Sequence, residues 1–390
     1  MLRAVYARAS LARLHGPAVY DVAHIRTVMA TLPPPRDAVE AAHHRYRARL
    51  SLFPWWYALT ANAAAIPLLL AAWLRARRPR RAPTMPGEPG PVIVVQTNKP
   101  LPAYWRSLMP ADLVPPDVDP PVLMHDAIPA TPGPAVRALV AECRRRYPLG
   151  FYFRYLVGTD LARVSTLTSV PGRSVIAYDG ERNVANPLAA KLCEDAGCAY
   201  VGVMHGNYRP NLTMAYLAFT RYYAWDQCFV DQFTGLLGCD PRQFVVAPPL
   251  GFLRLDLPAA PPDPAYLTYY LSGESEAQLR CLRAALDRVA ARHGPYRVRL
   301  HPTWAWNDVV RRCFDPAVIE DPGLVGLPES LAGTRHAAGL NSSALVQAHF
   351  SGRALILDDV SSPAEYAGLV EQAIFPVVFP HRRLSEVAGG

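Results

Sequence analysis

Three residue pairs in this 390-residue chain are placed where they could do chemistry: His205-Gly206, His301-Pro302 and Ser342-Ser343. Each follows an apolar run, Tyr200 to Met204, Tyr296 to Leu300 and His336 to Leu340. In open α/β sheets ligands gather outside the carboxyl ends of strands, so polar groups set at three such ends predict a binding and catalytic surface. Imidazole changes charge near neutral pH and can take a proton from a hydroxyl or give one to a leaving oxygen. His205 is therefore a candidate base, with Gly206 leaving room for a second molecule to approach. Asp179, in Asp179-Gly180 after the run Ser174 to Tyr178, is the rival base, although Asp-Gly is also an ordinary turn. Ser342 and Ser343 open a helix straight after a strand. Two hydroxyls and unsatisfied N–H groups then meet the positive end of the helix dipole, which suits phosphate; a simple helix cap is the plainer reading of the same residues. His301 would bind or protonate such a phosphate, with Pro302 turning the chain away from the sheet.

The elements that must position these groups alternate. Strands are expected at Val92–Val95, Val122–Met124, Ser174–Tyr178, the run to Met204, Gln227–Val230 and Phe244–Val246, with helices at Ala135–Tyr147 and Val184–Ala196. After the proline-rich stretch Leu257 to Pro264, the best boundary between domains, the alternation restarts. It gives strands Tyr266–Leu271, to Leu300, to Leu340 and Ala354–Leu357, and helices Glu276–His293, Asn307–Phe314 and Ala344–Ser351. Strands alternating with helices imply parallel sheets. The expected organisation is an N-terminal region over 1–90, a first Rossmann-like domain over 91–255 and a second over 264–390.

About half of the residues are apolar, enough for full-sized cores in two domains. The net charge of +8 is almost wholly arginine, since lysine occurs only at Lys99 and Lys191. Seven scattered cysteines without a Cys-x-x-Cys pair argue for a reduced interior and against a disulfide framework or a zinc site. The 20 residues from Trp55 to Leu74 carry no charge. Arg47 and Arg49 precede them, and Arg75, Arg77, Arg78, Arg80 and Arg81 follow. Such a segment can span a membrane or lie along its interface, and Pro67 and Asn62 count against the span. The expected partner is therefore a membrane, and the expected location the cytoplasmic face of the inner membrane. Nucleic acid is not expected, because the arginines cluster beside the apolar run, where lipid accounts for them. The stretch from Pro79 to Pro91 reads as a linker.

The stretch from Val175 to Gly206 resembles bacterial surface-polysaccharide glycosyltransferases in which a strand, an Asn-containing turn, a helix and a second strand lead into Gln-His-Gly; here Met204 stands for the glutamine. Tyr223 to Val230, Leu237-Gly238 and Phe244 to Gly251 are similar to the continuation of those families. His301-Pro302 and Ser342-Ser343 resemble donor-site words of bacterial sialyltransferases and polysialyltransferases, capsule Kdo transferases and CDP-glycerol glycerophosphotransferases, all of which use cytidine-nucleotide donors. The resemblance implies a GT-B fold, α/β with two Rossmann-like domains facing across a cleft, preceded by a membrane-associated helical segment. It implies that His301, Ser342 and Ser343 hold the donor phosphates and that His205 activates the acceptor. Ser272 and Gly273 would lie near the nucleotide, and Gly206, Asn207 and Arg209 on the acceptor side. Sialyltransferases carry an acidic pair before glycine, and Tyr178-Asp179-Gly180 has one acid there.

No Rossmann fingerprint, Walker lysine loop or metal-holding Asp-x-Asp pair is present, so transfer without a metal or other cofactor is expected, the nucleotide-activated donor being a substrate. The expectation is a glycosyltransferase moving a sugar or polyol-phosphate unit to a glycan or lipid-linked acceptor of the cell surface. A nucleotide-sugar epimerase of the same fold, and a non-catalytic membrane subunit that binds glycan or a partner, are the alternatives.

Overall fold

A computed structural model describes residues 17–76, 90–96, 101–102, 104–128, 130, 132–206, 208, 211–302, 307–374 and 377–389. The chain divides into two compact units, Met1–Pro248 and Pro249–Gly390.

The first unit is built on a six-stranded parallel sheet. Its strands are β1 (Pro91–Val95), β2 (Val122–Met124), β3 (Ser174–Tyr178), β4 (Ala199–Val203), β5 (Arg221–Ala224) and β6 (Phe244–Val246), in the order β2-β1-β3-β4-β5-β6. Val92 to Val95 and Val175 to Tyr178 are buried without alternation, the pattern of strands covered on both faces. The chain leaves β1 in one direction to form β2 and returns to the other side of β1 as β3. Strand order therefore reverses between β1 and β3, the kind of point at which open sheets bind ligands.

The fifth strand is Arg221–Ala224, and the segment expected as a strand at Gln227–Val230 is instead the start of a helix, Gln227–Gly235. Asp226 caps that helix by accepting from the Cys228 N–H at 2.9 Å. Its buried residues Phe229, Val230 and Phe233 recur at helical rather than alternating spacing. A further helix, Phe151–Leu167, carries no sequence signal strong enough to mark it; it buries Val157, Leu161 and Val164.

Residues ahead of β1 are part of this unit. The Trp55–Ala76 helix packs along Phe151–Leu167, burying Tyr57, Ala61 and Ala65. Asn62 accepts the Tyr152 N–H at 2.8 Å, so its amide serves one of the donors that the second helix cannot satisfy internally. Among the described residues no helix is long and apolar enough to cross a membrane, and the spanning reading of 55–74 is corrected accordingly. The residue that weakened the span in the sequence, Asn62, is bonded to the neighbouring Phe151–Leu167 helix. The expected linker lies outside the described residues up to residue 89, and the basic N-terminus up to residue 16.

The second unit also carries a six-stranded parallel sheet. Its strands are β7 (Ala265–Tyr270), β8 (Tyr296–Arg299), β9 (Ile319–Glu320), β10 (Thr334–Gly339), β11 (Ala354–Leu357) and β12 (His381–Arg383), in the order β12-β11-β10-β7-β8-β9. The unit's first strand lies in the middle and order reverses between β7 and β10, which is the Rossmann arrangement. One face of the sheet packs Leu267, Tyr269, Val298 and Ile356 on Leu279, Leu282 and Leu286 of the helix Glu276–His293. A reciprocal capping box of Ser275 and Gln278 starts that helix. The stretch 249–264 belongs to this second unit: Gln347 donates to the Phe252 carbonyl at 2.8 Å, and the Leu255 N–H to the Ser351 hydroxyl at 3.0 Å.

Candidate active site

At the carboxyl edge of the first sheet, β3 and β4 deliver Asp179 and His205 side by side. β3 leads into Asp179, held in the left-handed region at φ 59°, a conformation Asp tolerates better than most residues. Gly180 must follow, because a Cβ there would sit 2.7 Å from that of Ala177. β4 leads into Met204, whose carbonyl accepts the Trp225 indole N–H at 2.8 Å, fixing the point from which His205 projects. The His205 Nε2 lies 3.8 Å from Asp179 Oδ1, and both side chains remain partly exposed. Gly206 has open space where a Cβ would be. Asn207 and Arg209, expected on the acceptor side, lie outside the described residues.

Two residues without a sequence signal complete this corner. Tyr208 Oη stands 2.6 Å from His205 Nδ1 and 3.2 Å from Nε2, and 3.3 Å from Glu181 Oε1. Glu181 is fully buried and also accepts the Tyr222 hydroxyl at 3.1 Å, while its Oε2 has no hydrogen-bond partner among the described residues. With Nδ1 protonated, a chain runs from Nδ1–H to Oη–H to Oε1, and Nε2, the nitrogen nearer Asp179, is left to take a proton. Burial lowers the His205 pKa, against an opposing pull from the Asp179 carboxylate, so the ring is neutral at pH 7. The arrangement can accept a proton at Nε2, and the Asp179 carboxylate is placed to stabilise the resulting imidazolium.

Burial pushes the Glu181 carboxyl up to about 8, with Asp179 adding to the rise. The folded state then holds a proton that the unfolded chain has lost over the range from about pH 4.5 to 8. By linkage this stabilisation is complete below that window and declines as pH rises through it, by about 1.4 kcal/mol per unit. Glu181→Gln keeps the neutral form at every pH and is expected to gain stability relative to the parent as pH rises from 5 to 8, measured by urea unfolding. Asp160, which burial pushes up to about 7, retains its own slope in both proteins. Equal pH slopes in the two proteins would contradict a protonated Glu181.

In the second unit three adjacent strands, β10, β7 and β8, end at one edge with Ser342-Ser343, Ser272-Gly273 and His301-Pro302. Strands two apart are separated by roughly 10 Å, so His301 and Ser342 flank the end of β7 within reach of one nucleotide. Ser342 caps the helix Ser343–Phe350, its hydroxyl oxygen accepting the Ala344 N–H at 3.3 Å. Its own proton stays available to donate. His301 and both serines are half-buried and Pro302 is exposed.

Ser272 and Gly273 stand at the expected strand end, with their donors turned onto a side chain of the protein. Glu274 accepts the Ser272 N–H at 3.0 Å, the Ser272 hydroxyl at 3.2 Å and the Gly273 N–H at 2.9 Å. Burial raises the Glu274 pKa, and the Tyr269 hydroxyl links it at 3.3 Å to the buried Asp358, 2.8 Å from that same hydroxyl.

No family model matches the chain, and no curated protein matches it. Among solved structures it is similar to the lipopolysaccharide outer core galactosyltransferase WaaB in its apo form, with 12% identity and a TM-score of 0.41 over 70% of this chain and 81% of that one. It is similar to the glycotransferase of kitacinnamycin, with 12% identity and a TM-score of 0.41 over 78% and 91%. It is also similar to a candidate UDP-N-acetylglucosamine 2-epimerase from Listeria monocytogenes, with 11% identity and a TM-score of 0.40 over 73% and 87%. Overlaps this loose carry no weight for the chemistry, which rests on the two strand edges.

Proposed function

We propose that the protein is a glycosyltransferase of the GT-B type. It takes a sugar or polyol-phosphate unit from a cytidine-nucleotide donor to a glycan or lipid-linked acceptor at the cytoplasmic face of the inner membrane. The observation that carries the reading is the neutral, partly exposed His205 ring, oriented through Tyr208 and Glu181 and backed by Asp179. His205 Nε2 takes the acceptor hydroxyl proton as that oxygen bonds to the transferred carbon or phosphorus. The bond from that centre to the donor's phosphate oxygen breaks, and the nucleotide leaves with the electron pair. In the second unit His301 and the hydroxyls of Ser342 and Ser343, at the positive end of a helix, neutralise the leaving phosphate. No step calls for a metal.

The test is a transfer assay with cytidine- and uridine-activated donors in the presence and absence of surface glycan. Acceptor-dependent release of a cytidine nucleotide is expected, and His301→Ala should raise the donor KM about tenfold or more. Turnover of a uridine donor without acceptor would instead mark an epimerase. Full transfer by His301→Ala would overturn the role given to that residue.

A further inference from the structure

We infer that the Trp55–Ala76 helix is a lipid-docking face that lies flat in the interface of an anionic membrane while its other side stays packed on the first unit. Tyr57, Ala61 and Ala65 are buried, and the opposite side is exposed in two adjoining rows at helical spacing. One row is Trp55, Leu59, Ala63, Ile66 and Leu70; the other is Trp56, Thr60, Ala64 and Pro67. The large residues in these rows are strongly exposed, Trp55 at 78%, Leu59 at 62% and Leu70 at 56%, and no charged side chain interrupts them. Scattered exposed leucines need no explanation, but an uncharged stripe of about four turns, from Trp55 to Leu70, is a surface built to be covered.

Charge identifies what covers it. The chain runs from Ala76 into Arg77-Arg78-Pro79-Arg80-Arg81, Arg75 lies in the last turn, and no acidic residue occurs between Trp55 and Arg81. An apolar stripe followed directly in the chain by arginines complements a membrane surface of negative headgroups. Pro67, on the exposed side, has no N–H for the Ala63 carbonyl, and water at headgroup level can satisfy that oxygen where hydrocarbon cannot. The bond from Asn62 to Tyr152 and the burial of Tyr57 hold the helix lengthwise on its neighbour, which excludes standing it upright through a bilayer without unpacking the unit. This inference is independent of the transfer chemistry.

Flotation of the full-length protein with vesicles tests it. Binding to phosphatidylcholine vesicles containing about 30% phosphatidylglycerol is expected to be about tenfold or more stronger than to phosphatidylcholine alone, and to fall in high salt. The surface variant Trp55→Ser/Leu59→Ser/Ile66→Ser/Leu70→Ser should lose binding about tenfold with an unchanged melting temperature. Membrane-bound protein should be released by alkaline carbonate. The inference is overturned if the parent protein does not float with anionic vesicles, if it resists carbonate as a span would, or if it forms a dimer that the surface variant dissociates, which would make a second copy the occupant. Should the variant fail to fold, the lipid and salt dependence of the parent protein decides alone.

Discussion

His205→Ala is expected to lower the turnover of glycosyl transfer by a factor of about 10² to 10⁴, the range by which a positioned general base accelerates proton transfer. Donor affinity should stay within about twofold, because the residues proposed to hold the nucleotide belong to the other unit. Assays of kcat and KM on the purified variant check this split, and a fall in donor affinity without loss of turnover would contradict it. The neighbours have separate signatures. Asp179→Asn removes the carboxylate that raises the His205 pKa, so the acidic limb of the kcat/KM profile, already below the ordinary imidazole value, should move further down. Tyr208→Phe leaves the ring without its oriented partner and should reduce kcat with little effect on donor KM. A structural tyrosine would move the melting temperature and leave the pH profile in place.

Arg45→Met should destabilise the first unit by about 3 to 5 kcal/mol, since a buried acceptor left without its donor costs about 1 to 3 kcal/mol and the charge's own desolvation cost, removed with it, offsets part of the sum over the carbonyls. Arg45 is 1% exposed and its guanidinium donates to four backbone carbonyls. It donates to the Ala215 carbonyl at 2.7 Å, to Thr213 at 3.0 Å, to Asn183 at 3.1 Å and also to Glu181. Those carbonyls belong to the two segments around the 3₁₀ turns Gly180–Arg182 and Leu212–Met214, so one side chain from an early helix ties together both sides of the His205 corner. Methionine fills much of the volume and leaves four carbonyls short of a donor. Burial lowers the Arg45 pKa only to about 10, so the group is charged throughout the working range and the loss should be independent of pH from 6 to 8. Urea unfolding monitored by circular dichroism measures it; a cost under about 1 kcal/mol would show that the carbonyls find other donors.

The parts of this molecule that are local in the chain were readable from it. Ser174–Tyr178, Val122–Met124, Ala354–Leu357 and the Glu276–His293 helix have the boundaries that apolar runs and caps predict. Gln227–Val230 misled because so short a segment has no period of its own, and the deciding cap, Asp226, stands outside it. At the site, Asp179, His205, His301, Ser342 and Ser343 each stand at a strand end, where alternation of elements alone puts them. Glu181, Tyr208 and Arg45 were illegible for one reason: each acts through partners that chain order does not reveal. Arg45 meets carbonyls more than 130 positions away, and Glu181 becomes a neutral acid because folding buries it close to Asp179.

The most direct test of the central claim is calorimetric titration of CMP, CDP and UDP into the full-length protein and into its His301→Ala and Ser342→Ala variants. A cytidine nucleotide should bind and stabilise the fold, by about 2.7 kcal/mol at a hundred times its dissociation constant, and each variant should weaken that binding about tenfold. Absence of binding by any of the three nucleotides, or equal affinity in parent and variants, would contradict a donor seat at the carboxyl edge of the second sheet.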